Sequence, residues 1–269
     1  MLKKSLKIFY PLLFFWISNS YADEFGKDIL LIINYNTAHY GSIDFLKELY
    51  SPYFPNIVFT GPQHHPQVEY CEHRSGWFSH KVFAQIMQKY PNYTGYLYVH
   101  DDCILNPWNF TRFDKNKIWF KKSWFARFGT PDMNQWWFPN PEVGANAIKR
   151  AYDNFPQKYK DTLAQTCGQS NTILWAYSDI GYIPARFKDD VIILTEILVK
   201  SKTFLEIALP TMCGALDNMA NWNYLNGIEL WHGENPHPYY NKTIDYIHPM
   251  KLSNMGHREF LKHQFKKSN

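Results

Sequence analysis

The densest chemistry in this sequence is His100-Asp101-Asp102-Cys103, where two adjacent carboxylates follow the apolar run Gly95-Tyr-Leu-Tyr-Val-His100. Carboxylates a few ångströms apart repel and raise one pKa, whereas a divalent cation favours both charges. Hard oxygen ligands suit Mg²⁺ or Mn²⁺. Such an ion would bridge a diphosphate and neutralise the charge that develops on it as a leaving group. A water-facing turn capped by an Asp pair is an equally good account of these two residues alone. Three further stretches favour the first account. Tyr246-Ile-His248-Pro-Met-Lys251 offers an imidazole as a metal ligand and a lysine that could reach a phosphate oxygen. Phe204-Leu-Glu206-Ile-Ala-Leu-Pro210 sets one carboxylate in an apolar helical segment, where it must be paired, protonated or functional. Trp136-Trp137-Phe-Pro-Asn-Pro-Glu-Val-Gly144-Ala-Asn146 sets bulky aromatics before a glycine turn and a helix start, a wall on which an acceptor sugar could stack.

These residues need elements to position them. Asp28-Ile-Leu-Leu-Ile-Ile-Asn34 is a continuous apolar run, the pattern of a strand buried on both faces. Gly41 to Tyr50 has helical spacing, and Asn56-Ile-Val-Phe-Thr60 is a second strand closed by Gly61-Pro62. Short links between them imply a parallel pair with a right-handed crossover. Gly76 to Tyr90 reads as a helix stopped by Pro91, and Gly95 to His100 as the third strand. The order β-α-β-α-β makes a Rossmann-like beginning, in which ligands bind beyond the carboxyl ends of the strands. Neither the G-x-G-x-x-G fingerprint nor the P-loop pattern is present, which argues against an ordinary NAD site or ATPase. Residues 106–141 read as loops and short strands. Gly144 to Phe155 is helical, Thr172 to Tyr177 a strand, and Val191 to Ala208 a helix ended by Pro210. The last sixty residues read as turns, short strands and a basic tail.

Composition narrows the class. Of 269 residues, 45% are apolar and 19% charged, which excludes disorder, collagen and coiled coil. Aromatics reach 18%, enough for a thick core or for a surface that takes flat ligands. Lys3, Lys4 and Lys7, an apolar stretch from Ile8, and Ser20-Tyr21-Ala22 have the anatomy of a signal peptide. The expected arrangement is a leader over 1–22 and a single domain over 23–269, exported to a periplasm or a secretory lumen, with no stable membrane span after cleavage. Cleavage would take three basic residues and no acidic ones, leaving the chain near neutrality. The mature chain lacks the basic stripe of a nucleic-acid binder. In an oxidising compartment Cys71, Cys103, Cys167 and Cys213 allow two disulfides in three connectivities. His64, His65, Cys71 and His73 lie close together, but their spacing fits a structural zinc site poorly. Three N-glycosylation sequons, at Asn92, Asn109 and Asn241, matter only in a eukaryotic host.

Strand–helix–strand–helix–strand ending in adjacent acids resembles the nucleotide-binding half of GT-A-type glycosyltransferases. Their DxD motif would correspond to Asp101-Asp102-Cys103, with Cys in the third position. His248 and Lys251 are similar to that family's late histidine and nearby lysine, and Glu206 to its acceptor-side carboxylate. Gly144 to Asn146 would be a glycine-containing acceptor loop. The wording Ser178-Asp179…Tyr182-Ile-Pro184 and His248-Pro…Lys251-Leu-Ser253 also resembles nucleotide-diphospho-sugar-transferase-like proteins of the STELLO type. The resemblance implies an α/β, Rossmann-like GT-A fold, with a mainly parallel central sheet flanked by helices and an elaborated C-terminal acceptor half. It implies sugar transfer from a UDP- or GDP-sugar donor to a glycan, protein or lipid acceptor, with Mn²⁺ or Mg²⁺ held by Asp101, Asp102 and His248. Asn34 and Tyr35 would meet the base or ribose, Lys251 a phosphate oxygen, and Trp136, Trp137, Gly144 and Asn146 the acceptor. Glu206 and Asp179 are the candidates for catalytic base, with Asp217 in reserve. Two other classes remain: an exported, catalytically inactive carbohydrate-binding module with a transferase-like fold, and a secreted metal-dependent hydrolase that uses the Asp pair.

Overall fold

The computed structural model describes residues 24–266 apart from 75 and 232, so the expected leader lies outside the described residues. The apolar run becomes β1 (Ile29–Asn34), buried along its whole length. Then follow α1 (Ile43–Tyr50), β2 (Ile57–Gly61), β3 (Val68–Tyr70), α2 (Lys81–Lys89), β4 (Gly95–His100) and β5 (Ile104–Leu105). Two short strands, β6 (Trp119–Phe120) and β7 (Trp124–Arg127), precede α3 (Ala145–Asn154) and α4 (Gln157–Cys167). The second half runs β8 (Thr172–Trp175), β9 (Ile180–Pro184), α5 (Lys188–Lys200), α6 (Leu205–Leu216), β10 (Asn223–Tyr224), β11 (Gly227–Glu229), β12 (Tyr246–His248) and α7 (Met255–Lys266).

Seven strands form the main sheet in the order β10-β6-β9-β4-β1-β2-β3. β1 pairs in parallel with both β4 and β2, β2 with β3, and β10 with β6. Only β9 runs against its neighbours β4 and β6. This is the mainly parallel, helix-flanked α/β sheet expected. Side-chain alternation along β1 and β4 divides the core into two layers. Leu30, Ile32, Tyr96 and Tyr98 pack under α2, α5 and α6. Leu31, Ile33, Leu97 and Val99 pack under α1 and α7. Two smaller sheets have the orders β11-β12-β5 and β7-β8.

Several elements differ from the sequence reading. The helix expected from Gly76 begins only at Lys81, because residues 76–80 form turns around Gly76, whose φ is +81°. The single helix expected over 191–208 is two helices, and Pro210 lies inside the second rather than ending it. A proline leaves the carbonyl four residues back without its helical partner. Here that carbonyl, on Glu206, accepts from Ala176 N–H at 3.0 Å, so the break is filled from the strand side. Ile180–Pro184, read only as a motif, is a fully buried strand. The tail contains α7, whose Leu261 and Phe265 are buried. All four cysteines are free thiols, so neither expected disulfide is present. Cys103 packs on the opposite side of the sheet from Cys71 and Cys213.

Candidate functional site

The carboxyl ends of β1 and β4, the start of β9 and the end of β12 meet at one edge of the sheet. Backbone hydrogen bonds lock the meeting. Asp101 N–H donates to Asn34 C=O at 3.0 Å, His100 N–H to Asp179 C=O at 2.9 Å, and Met250 N–H to Asp102 C=O at 2.7 Å. The last bond brings the 248–251 segment onto the acidic turn across about a hundred and fifty residues of chain.

Four side chains converge there. Asp102, Asp179 and His100 are buried, and His248 is partly exposed. His248 Nε2 lies 3.4 Å from Asp102 Oδ1 and 3.3 Å from Asp179 Oδ1. His100 Nδ1 lies 2.9 Å from Asp179 Oδ1, and its Nε2 lies 2.7 Å from the Tyr98 hydroxyl. The mostly exposed Lys251 closes an ion pair on the other oxygen of Asp102. Electrostatics follow from this packing. Burial would raise the Asp102 carboxyl, but the His248 hydrogen bond and the charges of His248 and Lys251 hold it well below the ordinary range. Burial likewise opposes the charge on Asp179, and His248 and His100 outweigh it, so this carboxyl too is lowered. Burial would lower His248, but Asp179 and Asp102 raise it to about 9. At neutral pH two anions therefore share an imidazolium, the position a divalent cation would neutralise.

The donor set fits such an ion. One atom each from His100, Asp102 and His248 lies within 4.8 Å of the others. The second oxygen of Asp179 is buried with no hydrogen-bond partner. The expected ligand Asp101 stands outside that cluster, and His100 is in its place. Burial and the neighbouring Asp102 push the Asp101 carboxyl up to about 7.

The other expected site residues divide. Asn34 and Tyr35, expected to meet the base or ribose, are fully buried and turned into the core. Asn34 accepts from Thr60 at 2.8 Å and donates to Tyr98 at 3.3 Å, while the Tyr35 hydroxyl pairs with Ser42 at 2.8 Å. Asn36, two residues on and partly exposed, instead reaches His100 Nδ1 at 3.1 Å. Trp137, partly buried, packs against Phe204 and Trp77. Gly144 is a packing residue: a Cβ there would meet the carbonyls of Phe138, Trp137 and Asn140 at 2.3 to 2.6 Å. Asn146 is exposed on the first turn of α3. Trp136 does face the site's surroundings, in contact with Trp175, Tyr177 and Trp231. Glu206 lies in the field of Asp179 and His248, and one of its oxygens is buried without a partner. Burial first, then the charge of Asp179, raises it to about 8. The Trp136 indole works in the other direction, although no well-formed hydrogen bond joins the two. Asp217, the reserve base, is spent on Arg186 at 3.1 Å.

The sequence reading missed Glu229 and Lys121 as well as His100 and Asn36. Glu229 is ion-paired with Lys121 and accepts from the Tyr246 hydroxyl at 2.8 Å. Only His100 carried a local signal, its place beside the Asp pair.

Comparison with known proteins agrees with this picture at the level of sequence. No protein-family model matches the chain. It is similar to the probable glycosyltransferase STELLO1 of Arabidopsis thaliana, 26% identical over 227 residues, which covers 80% of this chain and 28% of that protein. It is also similar to the probable glycosyltransferase STELLO2 of the same plant, 22% identical over 250 residues, covering 89% of this chain and 32% of that one. The chain thus spans about a third of the length of these relatives. A glycosyltransferase involved in glycosylation of the major capsid of PBCV-1 aligns in structure with a TM-score of 0.41 and 12% identity, covering 86% of this chain and 98% of that one. Over most of its length, then, this chain is similar in sequence to the STELLO-type probable glycosyltransferases.

Proposed function

We propose that the protein is a glycosyltransferase that moves a sugar from a nucleotide-diphosphate donor to an acceptor hydroxyl. The observation that carries this reading is the meeting of His248 and Lys251 with Asp102 and Asp179 at the carboxyl edge of a mainly parallel sheet, where such sheets bind ligands. The two STELLO relatives support the class of reaction. Asp102 and His248, with His100 or Asp179 completing the set, would hold a divalent cation. Mixed imidazole and carboxylate ligands suit Mn²⁺ better than Mg²⁺. When bound, the ion neutralises charge on the departing diphosphate.

The chain's own groups do the rest. Lys251, released from Asp102, binds a phosphate oxygen. Asn36, beside His100, is placed to touch the donor. The acceptor O–H attacks the anomeric carbon of the donor sugar, the bond from that carbon to the diphosphate oxygen breaks, and the electron pair leaves with the nucleoside diphosphate. The acceptor proton passes to a carboxylate. Two histidines hold the Asp179 carboxyl low, which makes it a weak base and leaves Glu206. Its raised pKa makes the ionised form a stronger base than an ordinary carboxylate.

The test is a screen of UDP- and GDP-sugars with Mn²⁺, read by release of free nucleotide. Asp102→Ala should lower the metal-dependent rate by about 10²-fold or more, the scale lost with a metal or electrostatic group at the reacting centre. Turnover unchanged in this variant would reject the metal role.

A further inference from the structure

Trp124, Trp136, Trp175, Tyr177 and Trp231 come from distant parts of the chain and meet as one aromatic surface beside Glu206. Trp124 and Trp175 are cross-strand partners on β7 and β8, stacked at 4.7 Å. Trp136 lies 5.1 Å from Trp175 and 4.9 Å from Tyr177, and Tyr177 lies 5.3 Å from Trp231. Trp124 and Trp231 are 47% and 48% exposed, a large apolar area to leave in water. Trp136 has a φ of +55°, a left-handed backbone that a bulky side chain seldom adopts and that tends to persist at ligand sites. Three polar atoms around this surface are buried without partners: the indole nitrogens of Trp136 and Trp175 and one oxygen of Glu206. Native proteins leave few such groups unpaired, and each calls for an explanation.

We propose that this surface binds the acceptor, and that the acceptor is a neutral glycan. This inference rests on the glycosyltransferase reading above and names its acceptor class. A pyranose has an apolar C–H face and an edge of hydroxyls. Two sugar units would lie on Trp231 and Trp124, with Tyr177 between them, and the hydroxyl edge would face Glu206. A hydrocarbon chain would cover the rings but bring no hydroxyl toward Glu206, which the transfer reaction needs. Among the described residues, the cation seated over these rings is Lys121, and it offers a charged acceptor no free counter-ion. Lys121 and Glu229 are already paired with each other, and the Lys121 ammonium sits 4.5 Å over the Tyr177 ring. Glycan contact here is what the Trp136, Trp137, Gly144 and Asn146 set was expected to provide; of that set only Trp136 belongs to the surface.

The test is calorimetric titration of the full chain, with Mn²⁺ and UDP present, against neutral cello-, xylo-, manno- and chito-oligosaccharides. At least one series should bind. Trp124→Ala and Trp231→Ala should each raise its dissociation constant about tenfold, a loss of about 1.4 kcal/mol, while Trp231→Phe should restore most of the affinity. No binding by any series, wild-type affinity in both alanine variants, or binding of an extended peptide or lipid vesicles in place of sugar would overturn the assignment. UDP–Mn²⁺ titration of the same samples separates the two proposals. Glycan binding without UDP–Mn²⁺ binding removes the transfer reaction and keeps the platform. UDP–Mn²⁺ binding with glycan affinity indifferent to both alanine variants removes the platform and keeps the transferase. An equal loss of UDP–Mn²⁺ and glycan binding in both variants would show a merely structural role.

Discussion

Glu206 keeps its proton at a pH where an exposed carboxyl has lost it. Burial and the anionic Asp179 raise it from 4.5 to about 8. Between those values the folded chain holds a proton that the unfolded chain has released, so stability falls as pH rises through that window. Glu206→Gln cannot ionise and removes that slope. In chelator-treated protein, the melting temperature of Glu206→Gln should fall less than that of the wild type between pH 5 and pH 8. Parallel curves would mean that the carboxyl is not held protonated. The same variant should lose most glycosyl transfer, because an amide cannot accept the acceptor's proton. Charge at Asp102 has the opposite character: its partners stabilise the anion, so its role depends on what shares the site and not on what excludes water.

At the scale of elements, two local devices shape the region around Glu206 and the start of α3. Pro210 sits within α6 at little cost because the Glu206 carbonyl it leaves free is taken up by Ala176 after β8. That bond, with the Thr211 hydroxyl on the backbone of Leu174, ties the helix bearing Glu206 to β8 and the stretch after it that bears Tyr177 and Asp179. Gly144 allows three carbonyls of the preceding turn to close on the start of α3. Gly144→Ala places a methyl where backbone, not a yielding side chain, lies at 2.3 Å. The variant should lose about 2 kcal/mol or more of stability by denaturant titration, in the range of overpacked sites. Stability equal to that of the wild type would show that the turn relaxes freely. The sequence marks both positions, but by local rules the proline is a stop and the glycine a ligand loop. Helix termination by proline assumes that the freed carbonyl finds no other partner, and here a neighbouring strand supplies one.

At the scale of the whole molecule, the site exists because the C-terminal segment is fastened to the middle of the chain. Asn106, nearly fully buried, donates to the carbonyls of Asn241 and Ile244 at 2.8 and 2.9 Å and accepts from the Tyr240 hydroxyl. Asp245, fully buried, accepts from Arg112 and from Asn226 N–H, each at 2.7 Å. These clamps fix β12 against β5 and so deliver His248. Asn106→Ala leaves the Asn241 carbonyl and the Tyr240 hydroxyl without this partner, while Asn109 still donates to Ile244 C=O, and should cost about 2 kcal/mol. It should also weaken Mn²⁺ binding measured by calorimetry, although Asn106 touches no proposed ligand. Weaker stability with undiminished metal affinity would show that His248 is held by other means. The sequence by itself determined the first three main-sheet strands it could read as apolar runs, the acidic turn after the last of them, and the chemical types of His248 and Lys251. Those are properties of short segments, where side-chain periodicity and residue type suffice. Tertiary structure alone decided that His100 rather than Asp101 joins the cluster and that Asn34 and Tyr35 turn into the core. It alone gathered Trp124, Tyr177 and Trp231 around Trp136. Each of these depends on which way a side chain points at the end of a strand, or on contacts across tens to more than a hundred residues. Such contacts are chosen by packing of the whole chain, and no local pattern encodes them.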